Sequence, residues 1–138
     1  MTYCTQADLV REFGTEELVQ LTDRADPPTG QIDAERVAQA IETATAEINV
    51  YLEGRYPLPL ASTPTVLRRV AVDLARYYLS NDVLDDSPVA LRYARQLKLL
   101  RGIADGTLSL GLDTAGVVQL PANTVQVSAG RNDWGNNW

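Results

Sequence analysis

Near the middle of the chain, Asn49–Leu60 (NVYLEGRYPLPL) interrupts two strongly helical patterns and dictates how the chain must turn. Pro57 and Pro59 fix φ and disfavour a helical residue ahead of each, so no helix can run through. Before this elbow, Val37, Ile41, Ala44, Ile48 and Tyr51 recur at helical spacing as a single apolar stripe, with Glu35, Glu42 and Glu53 mostly off it. Alanines at 34, 38, 40, 44 and 46 favour the helix and permit close approach of a neighbour. Asp33 supplies an N-cap, so a long helix is expected from there to about Glu53. After the elbow, Thr63–Pro64 restarts a helix as cap and first helical residue, and Leu67, Val70, Leu74, Tyr77 and Tyr78 line one side to about Leu79. The elbow therefore joins two core helices. Tyr51 and Leu52 are expected to close the long helix onto the core, and Gly54 to permit the turn. Tyr56, Leu58 and Leu60 then plug the bundle end, with Arg55, Pro57 and Pro59 completing the elbow.

The same punctuation divides the rest of the chain. Thr5 caps a short helix, Gln6 to Glu12, with Leu9, Val10 and Phe13 apolar, and Gly14 ends it. Thr15 is expected to cap a second, Glu16 to Leu21, with Leu18, Val19 and Leu21 apolar. The segment DRADPPTG, Asp23–Gly30, is a loop by composition. Beyond the break SNDVLDDSP, Ser87 caps and Pro88 opens the last long helix. Its stripe is Ala90, Tyr93, Leu97, Leu100 and Ala104, and Arg92, Arg95, Lys98 and Arg101 occupy the remaining faces until Asp105–Gly106 closes it. The expected fold is all-α: an antiparallel bundle of three long helices plus two short N-terminal ones, forming a helical domain over residues 1–112. Residues 113–138 differ in character. They carry few charges, two short β-prone runs (Val117–Leu120 and Thr124–Ser128) and Trp134 and Trp138 near the end. A flexible or weakly β tail is expected, its tryptophans docking on another protein rather than folding back on this domain.

Composition removes most chemistry. There is no histidine, which excludes imidazole-based hydrolase arrangements and the commonest metal ligand. The single cysteine, Cys4, can form no internal disulfide and reads as a small apolar residue. Walker and dinucleotide-binding glycine patterns are absent. Asp82, Asp85 and Asp86 are the clustered carboxylates, without the ligand alternation and glycine turn of a calcium loop; they better suit the start of the helix that follows. No catalysis, cofactor or metal is therefore expected. No signal peptide or apolar run of membrane-spanning length is found, so a soluble protein made in a cytoplasm is expected.

Charge is unevenly spread. Residues 1–62 carry eleven acidic and four basic side chains; residues 63–112 carry five acidic and seven basic. One reading is two solvated faces of different sign. The other is acidic and basic regions of neighbouring subunits meeting head to tail. Arg68, Arg69, Arg92, Arg95, Lys98 and Arg101 are accordingly candidate subunit-interface residues rather than phosphate contacts. The net charge of −6 argues against general nucleic-acid binding. A helix-turn-helix over residues 6–21 is the alternative, a DNA-binding or regulatory module, although its second helix has no Lys or Arg.

YCTQADL at Tyr3–Leu9, the elbow, AVDLARYYL in the next helix and SPVALRYARQLKLLRGIADGTLSLG together resemble a family of small proteins from Mu-like phages and prophages. The resemblance covers residues 3–112 in order and spacing, and in the tail only composition is similar. It implies a head–tail connector, also called an adaptor or head-completion protein, located at the head–tail junction of the virion after synthesis in the host cytoplasm. Such a protein forms a ring beneath the portal protein and docks later neck and tail proteins. The resemblance further implies a helical bundle that is often monomeric before assembly, with rings following the twelve-fold symmetry of the portal. No sequence-specific nucleic acid and no membrane are expected as partners.

Overall fold

Asp33 accepts hydrogen bonds from the backbone N–H groups of Glu35 and Arg36, and the helix it caps, Ala34–Leu52, is the longest. A computed structural model describes residues 1–80 and 83–111, and every regular element among them is a helix. In chain order these are α1 (Gln6–Phe13), α2 (Thr15–Thr22), α3 (Ala34–Leu52), α4 (Thr65–Leu79) and α5 (Pro88–Asp105). The fold is all-α: α3, α4 and α5 form an antiparallel bundle, and α1 and α2 pack beside it. Asp82, the segment 113–138, its β-prone runs and Trp134 and Trp138 lie outside the described residues.

The bundle is built on α3 against α4, its most extensive pairing. Val37, Ile41, Ala44 and Ile48 of the apolar stripe are buried, as are Leu67, Val70 and Leu74 of α4. Ala44, Ala71 and Ala75 have no exposed surface, so small side chains are distributed through the helices that pack most closely. Helix α5 is different: only Leu100 and Ile103 are fully buried, with Tyr93, Leu97 and Leu99 partly covered. One side of α5 thus closes the core, and the other is left to solvent.

Two helix starts differ from the sequence reading. Thr15 does not cap α2. Gly14, at φ 89°, holds the N-cap position without a side-chain bond, and Thr15 is the first helical residue. Similarly Pro64 is the N-cap of α4 rather than its first helical residue, because its extended ψ of 147° sets the chain's direction before Thr65. The remaining starts agree. Thr5 and Asp8 form a reciprocal capping box on α1, and Ser87 accepts from Ala90 N–H above Pro88 in α5.

The elbow turns without help from glycine. Glu53 keeps an α-helical φ of −60°, and the N–H groups of Arg55 and Tyr56 both donate to Leu52 O at 2.9 Å. Gly54 is not among the glycines with positive φ, and a Cβ there would meet no other atom. Tyr56 and Leu60 are buried at 3% and 4% exposure, and Tyr51 and Leu58 pack partly covered against the core. The Tyr56 hydroxyl also accepts from Leu110 N–H at 3.4 Å. Truncating Tyr56 should leave a cavity at the bundle end. Tyr56→Ala is expected to lower unfolding free energy by about 3–5 kcal/mol in urea titrations. A loss under about 1 kcal/mol would show that the ring does not plug the bundle.

Candidate functional site

The charged side chains divide into those spent inside the chain and those turned outward. Arg76 of α4 is the most committed of the first group. Its Nε and Nη2 donate to the two carboxylate oxygens of Glu17 at 2.7 and 3.2 Å, and its guanidinium lies 4.4 Å from the Phe13 ring centroid. One cation thereby holds both short helices to the bundle. Glu17 belongs to the second helix of the supposed helix-turn-helix and faces its own protein. The exposed Glu16 and the lack of any cation on α2 leave that helix without a surface for phosphates.

Two further polar junctions cross the bundle. Asp73, nearly buried on α4, accepts from Gln96 Nε2 of α5 at 2.7 Å and lies 3.7 Å from Arg92 Nη1. On the other side the Glu47 carboxylate of α3 accepts from the hydroxyls of Tyr78 and Tyr93, the latter at 3.1 Å. Tyr93 stacks on Tyr77 at 3.8 Å between centroids, nearly parallel. Burial and the bond to Glu47 push the Tyr78 hydroxyl's pKa well above its ordinary value, and burial raises that of Tyr93. Both phenols therefore stay protonated as donors, and neither is poised as a base.

Cys4 is buried at 2% exposure, and desolvation, with the nearby Asp8 charge, pushes its thiol up to about 12. That makes it a packed thiol rather than a nucleophile. Asp85 and Asp86 occupy an exposed turn before α5. Among the described residues no group of three or more His, Cys, Asp or Glu side chains is placed to hold a metal ion. No helix there is long and apolar enough to cross a membrane.

The six cations expected at subunit contacts have different fates. Arg92 is engaged with Asp73 and lies 6.0 Å from the Phe13 ring. Arg68 and Arg69 are exposed on α4 and line a small pocket with Asp8, Arg11 and Glu12 of α1. Arg95, Lys98 and Arg101 are exposed on α5 and make no ion pair among the described residues. They surround a groove whose apolar floor is Leu99, Gly102 and Leu108. A Cβ on Gly102 would stand 2.7 Å from Leu108 Cδ1, so the glycine lets the chain after α5 fold back over the helix. On α3 the outward line carries Glu35, Glu42 and Glu53, with Val50 among them at 66% exposure.

Comparison with known proteins places the chain in a phage family. The family model for Bacteriophage Mu, Gp36 matches residues 3–129. The chain is 32% identical over 136 residues to the Mu-like prophage FluMu protein gp36 of Haemophilus influenzae, covering 98% of this chain and 94% of that protein. It is 31% identical over 114 residues to gene product J of Escherichia phage Mu, covering 83% and 79% respectively. The chain belongs to the Bacteriophage Mu Gp36 family, and neither relative's name states a reaction.

Removing the Glu17 carboxylate would leave Arg76 without its bidentate partner. Glu17→Ala is expected to cost about 1.5–3 kcal/mol, the scale of hydrogen bonds to charged groups. Hydrogen exchange should rise in α1 and α2 while the centres of α3 and α4 stay protected. Uniform loss of protection across all helices would show that the short pair is not separately hinged on this contact.

Proposed function

We propose that this protein is a structural component of the phage particle, a head–tail connector that forms a ring beneath the portal and receives neck or tail proteins. Membership of a phage Mu family is the observation that carries the reading. The physical features support it. Three polar junctions, Glu17–Arg76, Glu47–Tyr93 and Asp73–Gln96, tie one helix to another, which suits a body that is rigid rather than reactive. The exposed cations of α5 and the exposed acids of α3 lie on different helices, which suits repeated head-to-tail contact between identical subunits. In this reading the protein has no catalytic role. It resides at the head–tail junction, and it neither reads DNA sequence nor enters a membrane.

The net charge of −6 would keep a ring lumen from gripping the passing genome. Trp134 and Trp138 serve as anchors for the next protein to join, because tryptophan concentrates binding energy where it enters a pocket.

Electron microscopy of the protein mixed with its portal should reveal a closed ring on one portal face. Absence of binding at micromolar concentrations would overturn the connector reading. A Trp134→Ala/Trp138→Ala double variant should still form the ring yet lose about 2 kcal/mol or more of affinity for the neck or tail partner. Unchanged partner binding would remove the tryptophans from the docking surface.

A further inference from the structure

We infer that the subunit contact is made by the outer ridge of α3 on one copy seated against the outer groove of α5 on the next. The inference rests on the connector reading and names the surfaces that would build its ring. On α3 Glu35, Glu42, Ala46 and Val50 are exposed, as is its C-cap, Glu53, which keeps a helical conformation. At 3.6 residues per turn they fall within about 80° of arc, forming one ridge. Two acids, Glu42 and Glu53, bracket its protruding apolar residue, Val50.

The α5 groove has the converse pattern. Its floor of Leu99, Gly102 and Leu108 is apolar, and the cations Arg95, Lys98 and Arg101 outnumber the one acid in its lining, Asp105, whose carboxylate accepts from Thr107. Leu108 is 40% exposed, so the floor is open to an incoming side chain. Val50 of a second copy fits that floor, with Glu42 and Glu53 reaching the surrounding cations. Burial of an apolar knob gives contact energy, and the charges set orientation.

A chain cannot satisfy this pairing with its own α3. The α3 carboxylate that does face α5 is Glu47, bonded to Tyr93. It stands about 140° around the helix from Glu42, so the ridge points elsewhere. Two copies related by a two-fold axis through either ridge would oppose like charges. The contact joins two different surfaces, so repeated from copy to copy it is heterologous and propagates in one direction until it closes.

Lys98 is the one lysine in the chain, which makes the test specific. Portal-bound rings assembled from a mixture of isotopically heavy and light chains are treated with a carbodiimide, which joins an amine to a touching carboxylate. Mass spectrometry is expected to find Lys98 joined to Glu42 or Glu53 of a different chain. Joining of Lys98 only to other carboxylates of a neighbouring subunit, or to none, would overturn the proposed contact.

Charge reversal supplies a second arm. An Arg95→Glu/Lys98→Glu variant and a Glu42→Lys/Glu53→Lys variant should each form rings on the portal at least about tenfold less readily. Mixing the two variants should restore rings, because alternating copies again pair opposite charges. Rings from either variant alone at wild-type yield would overturn the contact and leave the connector reading standing. Failure of the wild-type protein to form rings on the portal would instead defeat the connector reading, and this contact with it.

Discussion

The guanidinium of Arg55 is the fastening on which the closed end of the bundle depends. A helix ends with carbonyl groups that have no partner within it. Arg55 Nη1 donates to one such carbonyl, Ile103 O of α5, at 2.7 Å, and to Leu108 O beyond the helix at 3.0 Å. Its positive charge also suits the negative end of the helix. A residue of the elbow between α3 and α4 thus clasps the last turn of α5, 48 residues away. Tyr56 reinforces the clasp through Leu110 N–H, and its ring lies 5.2 Å from the Arg55 guanidinium. With the chain after α5 held down, Leu108 returns over Gly102, its N–H bonded to Gly102 O at 2.9 Å. That return supplies part of the apolar floor of the outer α5 groove. A break between two helices and the shape of a surface on a third follow from one elbow.

Much of this fold is legible in the sequence because periodicity reports which side of a helix is buried. Val37, Ile41, Ala44 and Ile48 form such a pattern, and Asp33 and Ser87 announce helix starts by a local bond their side chains can make. Errors arise where a neighbouring residue competes for the same local role. Gly14 takes the N-cap place from Thr15, and Pro64 takes it from Thr63. Gly54 looks like a helix stop, but the turn is made by continuing the helical conformation one residue past α3 and closing it with bonds to Leu52 O.

The polar junctions are not legible, and the reason is distance along the chain. Glu17 and Arg76 are 59 residues apart, and Glu47 and Tyr93 are 46 apart. A charge off the apolar stripe is equally compatible with solvent and with a partner on another helix. Asp73 lies within an otherwise apolar stretch of α4, and Glu47 lies beside Ile48; each is an acid close to the buried stripe. That position is the signal that an interior partner is required, since burying a carboxylate alone is costly. Arg92 yields to the same reasoning: it reads as one of a run of outward cations, but it is the member that reaches Asp73.

Once those internal pairs are set aside, the remaining charge has a direction. Among the described residues, exposed acids without an ion pair run along α3, and exposed cations without one run along α5, with Arg68 and Arg69 on α4. Such groups add little to the stability of a single chain, because water solvates them well and salt screens them. Their effect is on how copies meet. Like ridges repel, which disfavours the two-fold dimer that is otherwise the commonest assembly. Opposite ridges attract at modest strength, and the whole chain's charge of −6 opposes crowding of copies in free solution. A template that gathers and aligns copies raises their effective concentration and tips that balance. In the proposed ring the portal is that template, so subunits stay separate until it is present and join in one sense when it is.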